Sequence, residues 1–253
     1  MRRLNHYGAI LLTLSVCTIS HGALVHDFDS QLDATVSATF PLNAFTDKAK
    51  TAWGVYDRTD LLPEKLIDES LAGADSFGII QSQDTDNFFG IVDTYNDDVK
   101  GTIEVSFTFD LTVLPGSAYD VSIDMGAMGD FEAGDIFKWD YQFDQEPAQR
   151  LFDITTNTAI SHTYILEDNT SVSLVDPLVI GTQVIDNQIK TFSTEISPVS
   201  TASSLTITLT TDTNGALEAF AFDNIVVESV HMPEPASLIL LGLGGIALIS
   251  RRC

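Results

Sequence analysis

Apart from its two ends, the chain has no cysteine: Cys17 lies in an apolar N-terminal run and Cys253 is the last residue. A thiolate nucleophile, a thiolate metal centre and a disulfide scaffold are therefore excluded from everything between them, so stability must come from packing, strand pairing and bound ions. Positive charge is almost as scarce. Of 12 Lys and Arg, Arg2, Arg3, Arg251 and Arg252 are terminal, and of 36 Asp and Glu only Glu234 lies beyond Met232; Ala23 to Met232 thus holds eight bases against 35 acids, a formal charge of −27. Such a surface repels phosphate backbones and anionic membranes, which sets nucleic-acid binding aside and makes multivalent cations the natural partners. Histidine between the ends is limited to His26, His162 and His231, and no metal-binding helix motif, nucleophile elbow or phosphate loop occurs. A carboxylate pair for glycoside hydrolysis stays open, since such pairs are set by spatial distance rather than by sequence.

Helical periodicity is also missing. Only Leu61 to Leu71, opened by Asp60 and Pro63, could hold a turn or two of helix. What is present is period-two alternation. Ile103, Val105, Phe107, Phe109 and Leu111 point one way, and Thr102, Glu104, Ser106, Thr108 and Asp110 the other, the mark of a half-buried strand. Tyr119 to Met125, Phe137 to Phe143 and Leu205 to Leu209 repeat it. Shorter strands are expected at Leu24–Phe28, Val36–Phe40, Phe77–Ile80, Phe88–Val92, Thr163–Leu166, Ser171–Val175, Gln188–Phe192 and Ala219–Val227. Asn214-Gly215 predicts a hairpin between the Leu205 and Ala219 strands, and Pro115-Gly116 separates the Ile103 and Tyr119 strands in the same manner. About 210 residues without repeat or composition break predict one all-β domain, an antiparallel β-sandwich of jelly-roll type. Asp47 to Ser76 is richer in charge and poorer in strand signal, a surface excursion.

The ends differ in kind from this domain. Arg2 and Arg3, the apolar run Gly8 to Ile19, and small residues Ser20 and Gly22 form a signal peptide over residues 1–22. A lipoprotein reading through Leu14 to Cys17 is the alternative, although Val16 stands where a small residue belongs. At the other end Pro233, Glu234 and Pro235 precede an apolar run, Ala236 to Ile249, and then Ser250, Arg251, Arg252 and Cys253. Fourteen residues in a helix reach roughly 21 Å against a hydrocarbon core of about 30 Å, a marginal transmembrane helix, and the arginines favour the cytoplasmic side. This three-part tail resembles the PEP-CTERM sorting signal. The resemblance implies export, transient insertion in the inner membrane, processing by an exosortase-type enzyme, and release to the cell surface or extracellular polysaccharide matrix. A plain tail anchor is the alternative. Residues 1–22, 23–231 and 232–253 are accordingly signal, domain and sorting segment.

Within the domain, Asp27 and Asp29 lie two apart on an early strand, which puts both carboxylates on one face roughly 6 to 7 Å apart, and Asp223 lies in the closing run Phe220 to Val226. An acidic Asp-Phe-Asp opening with a closing Phe-Asp-Asn-Ile strand resembles MAM-type and carbohydrate-binding jelly rolls. The resemblance implies that first and last strands pair and that Asp27, Asp29 and Asp223 hold a structural calcium; ordinary exposed acids are the alternative. Asp130, Glu132 and Asp135, and Asp84, Asp86 and Asn87, lack EF-hand spacing and suit solvated loops. Phe137, Trp139, Tyr141 and Phe143 share one face and suit a core. Trp53 and Tyr56, beside Asp57 and Arg58, are a candidate ligand-facing pair, or else a lid over the core. The expectation that follows is a non-enzymatic envelope or matrix protein, structural or polysaccharide-associated. The alternative is a carbohydrate-active enzyme or lectin-like module on the same fold.

Overall fold

The computed structural model describes residues 22–29, 35–39, 52–60, 62–73, 75–80, 86–95, 101–215 and 217–230. Its strands in chain order are β1 (Ala23–His26), β2 (Val36–Thr39), β3 (Ala52–Tyr56), β4 (Phe88–Val92), β5 (Ile103–Asp110), β6 (Tyr119–Met128), β7 (Ile136–Phe143), β8 (Gln149–Thr156), β9 (Ser161–Ile165), β10 (Ser171–Val175), β11 (Leu178–Ile180), β12 (Gln183–Val184), β13 (Lys190–Ile196), β14 (Ser204–Asp212) and β15 (Ala219–Ser229). Alternation decides which side of each strand is inside. In a seven-stranded sheet ordered β12-β11-β8-β7-β14-β5-β2, Ile207 lies opposite Phe107 on one side and Tyr141 on the other, all with side chains toward the core. The opposite face carries hydroxyl pairs, Ser106 with Thr208 and Thr108 with Thr206, each 3.0 Å apart. That face needs no cover.

The second sheet, ordered β13-β6-β15-β4-β3 with β1 also on β15, is buried on both sides over much of its area. Phe220, Phe222, Ile225 and Val227 enter the core between the sheets, whereas Ala219 and Ala221 join a second cluster on the outer face. A row of small residues crosses that face in register: Gly126, Ala221, Gly90 and Gly54. The row admits close packing, because a Cβ on Gly90 would stand 2.6 Å from Leu66 Cδ2. Leu66, Ile67, Phe77 and Ile79 seat there, and the β9–β10 hairpin adds Tyr164 and Leu166. Arg58 pairs with Glu167, and Lys65 with Asp75 at 2.8 Å, fixing the cover at its rim.

Several expectations change. Asn214-Gly215 is not a hairpin turn, since β14 and β15 belong to different sheets and neither residue takes positive φ. The same holds for Pro115-Gly116, because β5 and β6 also lie in opposite sheets. The excursion expected over Asp47 to Ser76 contains β3, an inner-packing strand of the second sheet, and the only helical piece among its described residues is the short 3-10 turn Ser70–Ala72. Phe77 to Ile80 makes two isolated parallel bridges rather than a strand, and β8 was not visible in the alternation. The signal peptide before Gly22 and the C-terminal helix fall outside the described residues. Among those described, no helix is long and apolar enough to cross a membrane.

Trp139 and Trp53 are 0% and 2% exposed, in the same inter-sheet core. Truncating either to alanine should therefore cost about 3 to 5 kcal/mol, as for other buried aromatics. Urea denaturation of the Trp53→Ala and Trp139→Ala domains should show midpoints lowered alike; a Trp53→Ala midpoint equal to wild type would place that ring outside the core.

Candidate functional site at the seam of the second sheet

One edge of β15 is shared by two partners. β4 pairs with Phe220 to Phe222, β1 with Ile225 to Glu228, and between them the β6–β15 register shifts. Asn224 takes φ 48° at this bulge. A bulge leaves a residue out of the ladder and re-aims its neighbours, a local geometry common beside functional sites. Asp223 therefore lies where β1 stops and β4 starts. The chain leaving β1 bends at Phe28, φ 55°, so Asp27 and Asp29 stand in a turn and not, as expected, on one strand face. Asp29 Oδ1 accepts from the backbone N–H of Asn87 at 2.6 Å and from its amide at 2.9 Å, tying the exit of β1 to the entry of β4. His26, just before, is buried against Phe28 and Phe107, and burial lowers its pKa.

Asp223 is 7% exposed and accepts from the Asn224 backbone at 2.7 Å. Burial above all, then the nearby charges of Asp29, Asp124 and Asp27, push its pKa up to about 8. Asp124 is the member that sequence reasoning missed. It lies directly opposite Asp223 on β6, receives a bond from Thr191 Oγ1 at 2.5 Å, and shares the Asn224 amide with Asp223. Its signal was only an outward acid on an alternating strand. The seam thus gathers four carboxylates, with Asn224 and Asn87 as the neutral donors between them, an oxygen-rich set of the kind hard cations prefer.

A tighter group lies elsewhere. Among the described residues, oxygens of Glu132, Asp135 and Glu218 lie within 4.8 Å of one another, whereas Asp27, Asp29 and Asp223 do not form so close a set. Glu132 and Asp135 come from the loop expected to be solvated; Glu218, 2% exposed, follows the Asn214-Gly215 turn. Asp130 stays at the edge of this group, and Asp84 falls outside the described residues. Trp53 and Tyr56 present no ring to a ligand: they lie in the inner and outer cores, 2% and 7% exposed, and burial pushes the Tyr56 phenol up to about 12. The alternating inward and outward positions of β3 send them there. An open groove of about 480 Å³ instead runs between β8, β11 and β13, where the two sheets part. Phe152 and Phe192 contribute apolar walls there, and Asp153, Gln183, Thr191 and Thr194 polar ones.

Comparison with known proteins decides the role of the tail, whose Pro-Glu-Pro and terminal arginines fall within the matched segment. Residues 233–252 are a PEP-CTERM protein-sorting motif. A chain bearing this motif is an exported, surface-directed protein, and Pro233, Glu234, Pro235, Arg251 and Arg252 belong to its sorting signal. No curated protein matches the sequence. Solved structures similar to this chain include the CBM22-1 xylan-binding domain of Paenibacillus barcinonensis Xyn10C, at 11% identity over 84% of this chain and 98% of that one, TM-score 0.35. A cyclase from Fischerella sp. TAU follows at 11% identity, 83% and 90% coverage and TM-score 0.40. TmCBM61 in complex with β-1,4-galactotriose shows 10% identity, 70% and 88% coverage and TM-score 0.31. At these identities and scores the likenesses carry neither activity nor ligand across.

The elevated pKa of Asp223 has a definite sign. An acid whose pKa is higher folded than unfolded binds its proton more tightly when folded, so stability falls as pH rises from about 4 to about 8. In chelator, Asp223→Asn should remove this part of the decline and melt higher than wild type at pH 8, by about 1 to 2 kcal/mol or roughly 2 to 8 °C. Equal melting of the two proteins at pH 8 would show that Asp223 is ionised at no cost.

Proposed function

We propose that this chain is a non-enzymatic β-sandwich protein of the cell surface or extracellular matrix, structural or polysaccharide-associated, and handed there by exosortase-type processing after a transient stay in the inner membrane. The sorting motif at residues 233–252 is the observation that carries the reading. The non-enzymatic part is supported by enclosure: Glu218 and Asp223, whose carboxyls are most perturbed, are 2% and 7% exposed, too covered to reach a glycosidic oxygen. Association with a glycan chain is supported by the groove between the sheets, where Asp153, Gln183 and Thr194 offer hydrogen bonds beside Phe152 and Phe192.

The released protein should lack both Met1 to Gly22 and the segment after roughly Pro235, which intact mass spectrometry reads directly. A surface form still bearing Arg251 and Arg252 would indicate a permanent anchor. Applied to a polysaccharide array, the same material should bind, and Thr194→Trp, which fills the groove, should abolish binding at unchanged melting temperature. Retention of binding by that variant would move the ligand elsewhere, and turnover of a bound glycan would favour the enzyme reading.

Calcium at the seam is the second part of the proposal. Asp27, Asp29 and Asp223, joined by Asp124, would tie the first strand to the last and relieve the repulsion that pushes Asp223 upward. Calcium at a hundredfold excess over its dissociation constant should add about 2.7 kcal/mol. Magnesium at matched ionic strength should add less, and Asp223→Ala should erase the difference. An equal response to both ions would reduce the effect to screening.

A further inference from the structure

Just before β15, away from the seam, Glu218 enters a cluster that no ion pair among the described residues reaches. Thr213 Oγ1 donates to its Oε2 in a short bond, and the Gly215 N–H donates to the same oxygen at 3.1 Å. The facing loop between β6 and β7 brings Glu132 and Asp135, and a Cβ on Gly129 in that loop would stand 3.0 Å from Glu218 Cα, so the two segments are in contact. The loop is itself fixed: the Glu132 N–H donates to Asp135 Oδ2 at 2.7 Å, and Thr156 Oγ1 to the Glu132 carbonyl at 3.0 Å. The turn is fixed as well, since Thr94 and Thr213 exchange hydrogen bonds of 2.7 and 3.0 Å.

Among the described residues, every further ionisable group close to the triad from neighbouring elements is an acid or lies toward solvent. Asp212 at the end of β14 and Asp130 in the loop add negative charge, with Asp176 after β10 acting on Asp130. Tyr95 faces Asp212. Lys138, Arg150 and Asp153 share an outer groove with Asp135, and Arg150 is engaged by Asp140 at 3.0 Å. None of the ion pairs among the described residues reaches the triad. Three carboxylates this close, one of them buried, cannot all be ionised, because each added charge raises the energy of the next. Hydrogen bonds from Thr213 and Gly215 satisfy one Glu218 oxygen. The same carboxyl lies within 4.8 Å of Glu132 and Asp135, where only a carboxylic proton makes a contact between acids attractive.

We propose that Glu218 carries a proton shared with Glu132 and that this carboxyl–carboxylate contact is a pH-operated clip between the β6–β7 loop and the β14–β15 turn, closed in acid and neutral media and released in alkali. Burial first, with neighbouring acids adding to it, pushes Asp135 up to about 6 and Glu218 up to about 8, which sets the window. Both groups bind protons more tightly folded than unfolded, so the clip subtracts nothing below about pH 4.5, progressively destabilises as pH rises, and is fully opened above about 8.

The Gly215 amide, which donates to Glu218, reports ionisation through its ¹H–¹⁵N shift. In the 23–231 domain titrated from pH 4 to 9.5 with chelator present, that shift should move with a midpoint near 8. Glu218→Gln mimics the protonated acid, accepting from Thr213 and Gly215 and donating to Glu132; it should abolish the titration, and wild type should lose several degrees of Tm relative to it between pH 5 and 8.5. A Gly215 midpoint between 4 and 5, or parallel Tm profiles, would overturn the clip. Should Glu218→Gln fail to fold, Glu132→Gln takes its place: the Gly215 midpoint should fall by at least one pH unit, and an unchanged midpoint would equally overturn the sharing.

Discussion

The burial of the first half of β15, Ala219 to Asp223, on both faces is the constraint on which the rest of the molecule depends. A strand in an ordinary sandwich sends one side to the core and the other to water, whereas Phe220 and Phe222 face the inter-sheet core while Ala219 and Ala221 face a second apolar layer. A polar group on such a strand has no solvent to turn to. The two buried acids of this strand and its approach, Asp223 and Glu218, are accordingly held by backbone or hydroxyl donors and driven toward their neutral forms, whereas Glu228, near the far end, is exposed. The seam and the triad have one origin: each is where a carboxylate meets the doubly buried first half of β15.

Double burial in turn requires the outer cover, and the cover requires the small-residue row. Gly126, Ala221, Gly90 and Gly54 bring the sheet surface down to backbone level, so Leu66 and Ile79 reach it. A segment carrying as much charge as residues 57–76 can still be part of the structure because its apolar residues are few and well placed. Its charges pair at the rim through Arg58 with Glu167 and Lys65 with Asp75.

The same logic explains what was legible beforehand. Strands with strict alternation, such as Ile103 to Asp110, were readable because one face is wet; β3, flanked by charge and running Ala-Trp-Gly-Val-Tyr, was not, because both its faces are dry and no alternation survives. Turn chemistry at Asn214-Gly215 marked a reversal but not its destination, since local φ and ψ preferences contain nothing about which sheet receives the next strand. Asp27, Asp29 and Asp223 stood out as acids on the first and last strands. Asp124 and Glu218 did not, as one is a generic outward acid and the other follows a turn; only pairing across β6 and β15, and contact with the loop at Gly129, gives them partners.

Strand order finally relates the two ends of the sandwich. Ala23 pairs with Glu228, so the start of β1 and the end of β15 lie side by side at one pole. Glu218 lies at the other pole, eleven strand residues away, which at about 3.3 Å per residue is roughly 36 Å. The seam acids, midway, sit where β1 hands over to β4, so a change in their charge acts on the pairing that keeps both ends together. The triad, at the far pole, can respond to pH without disturbing that pairing.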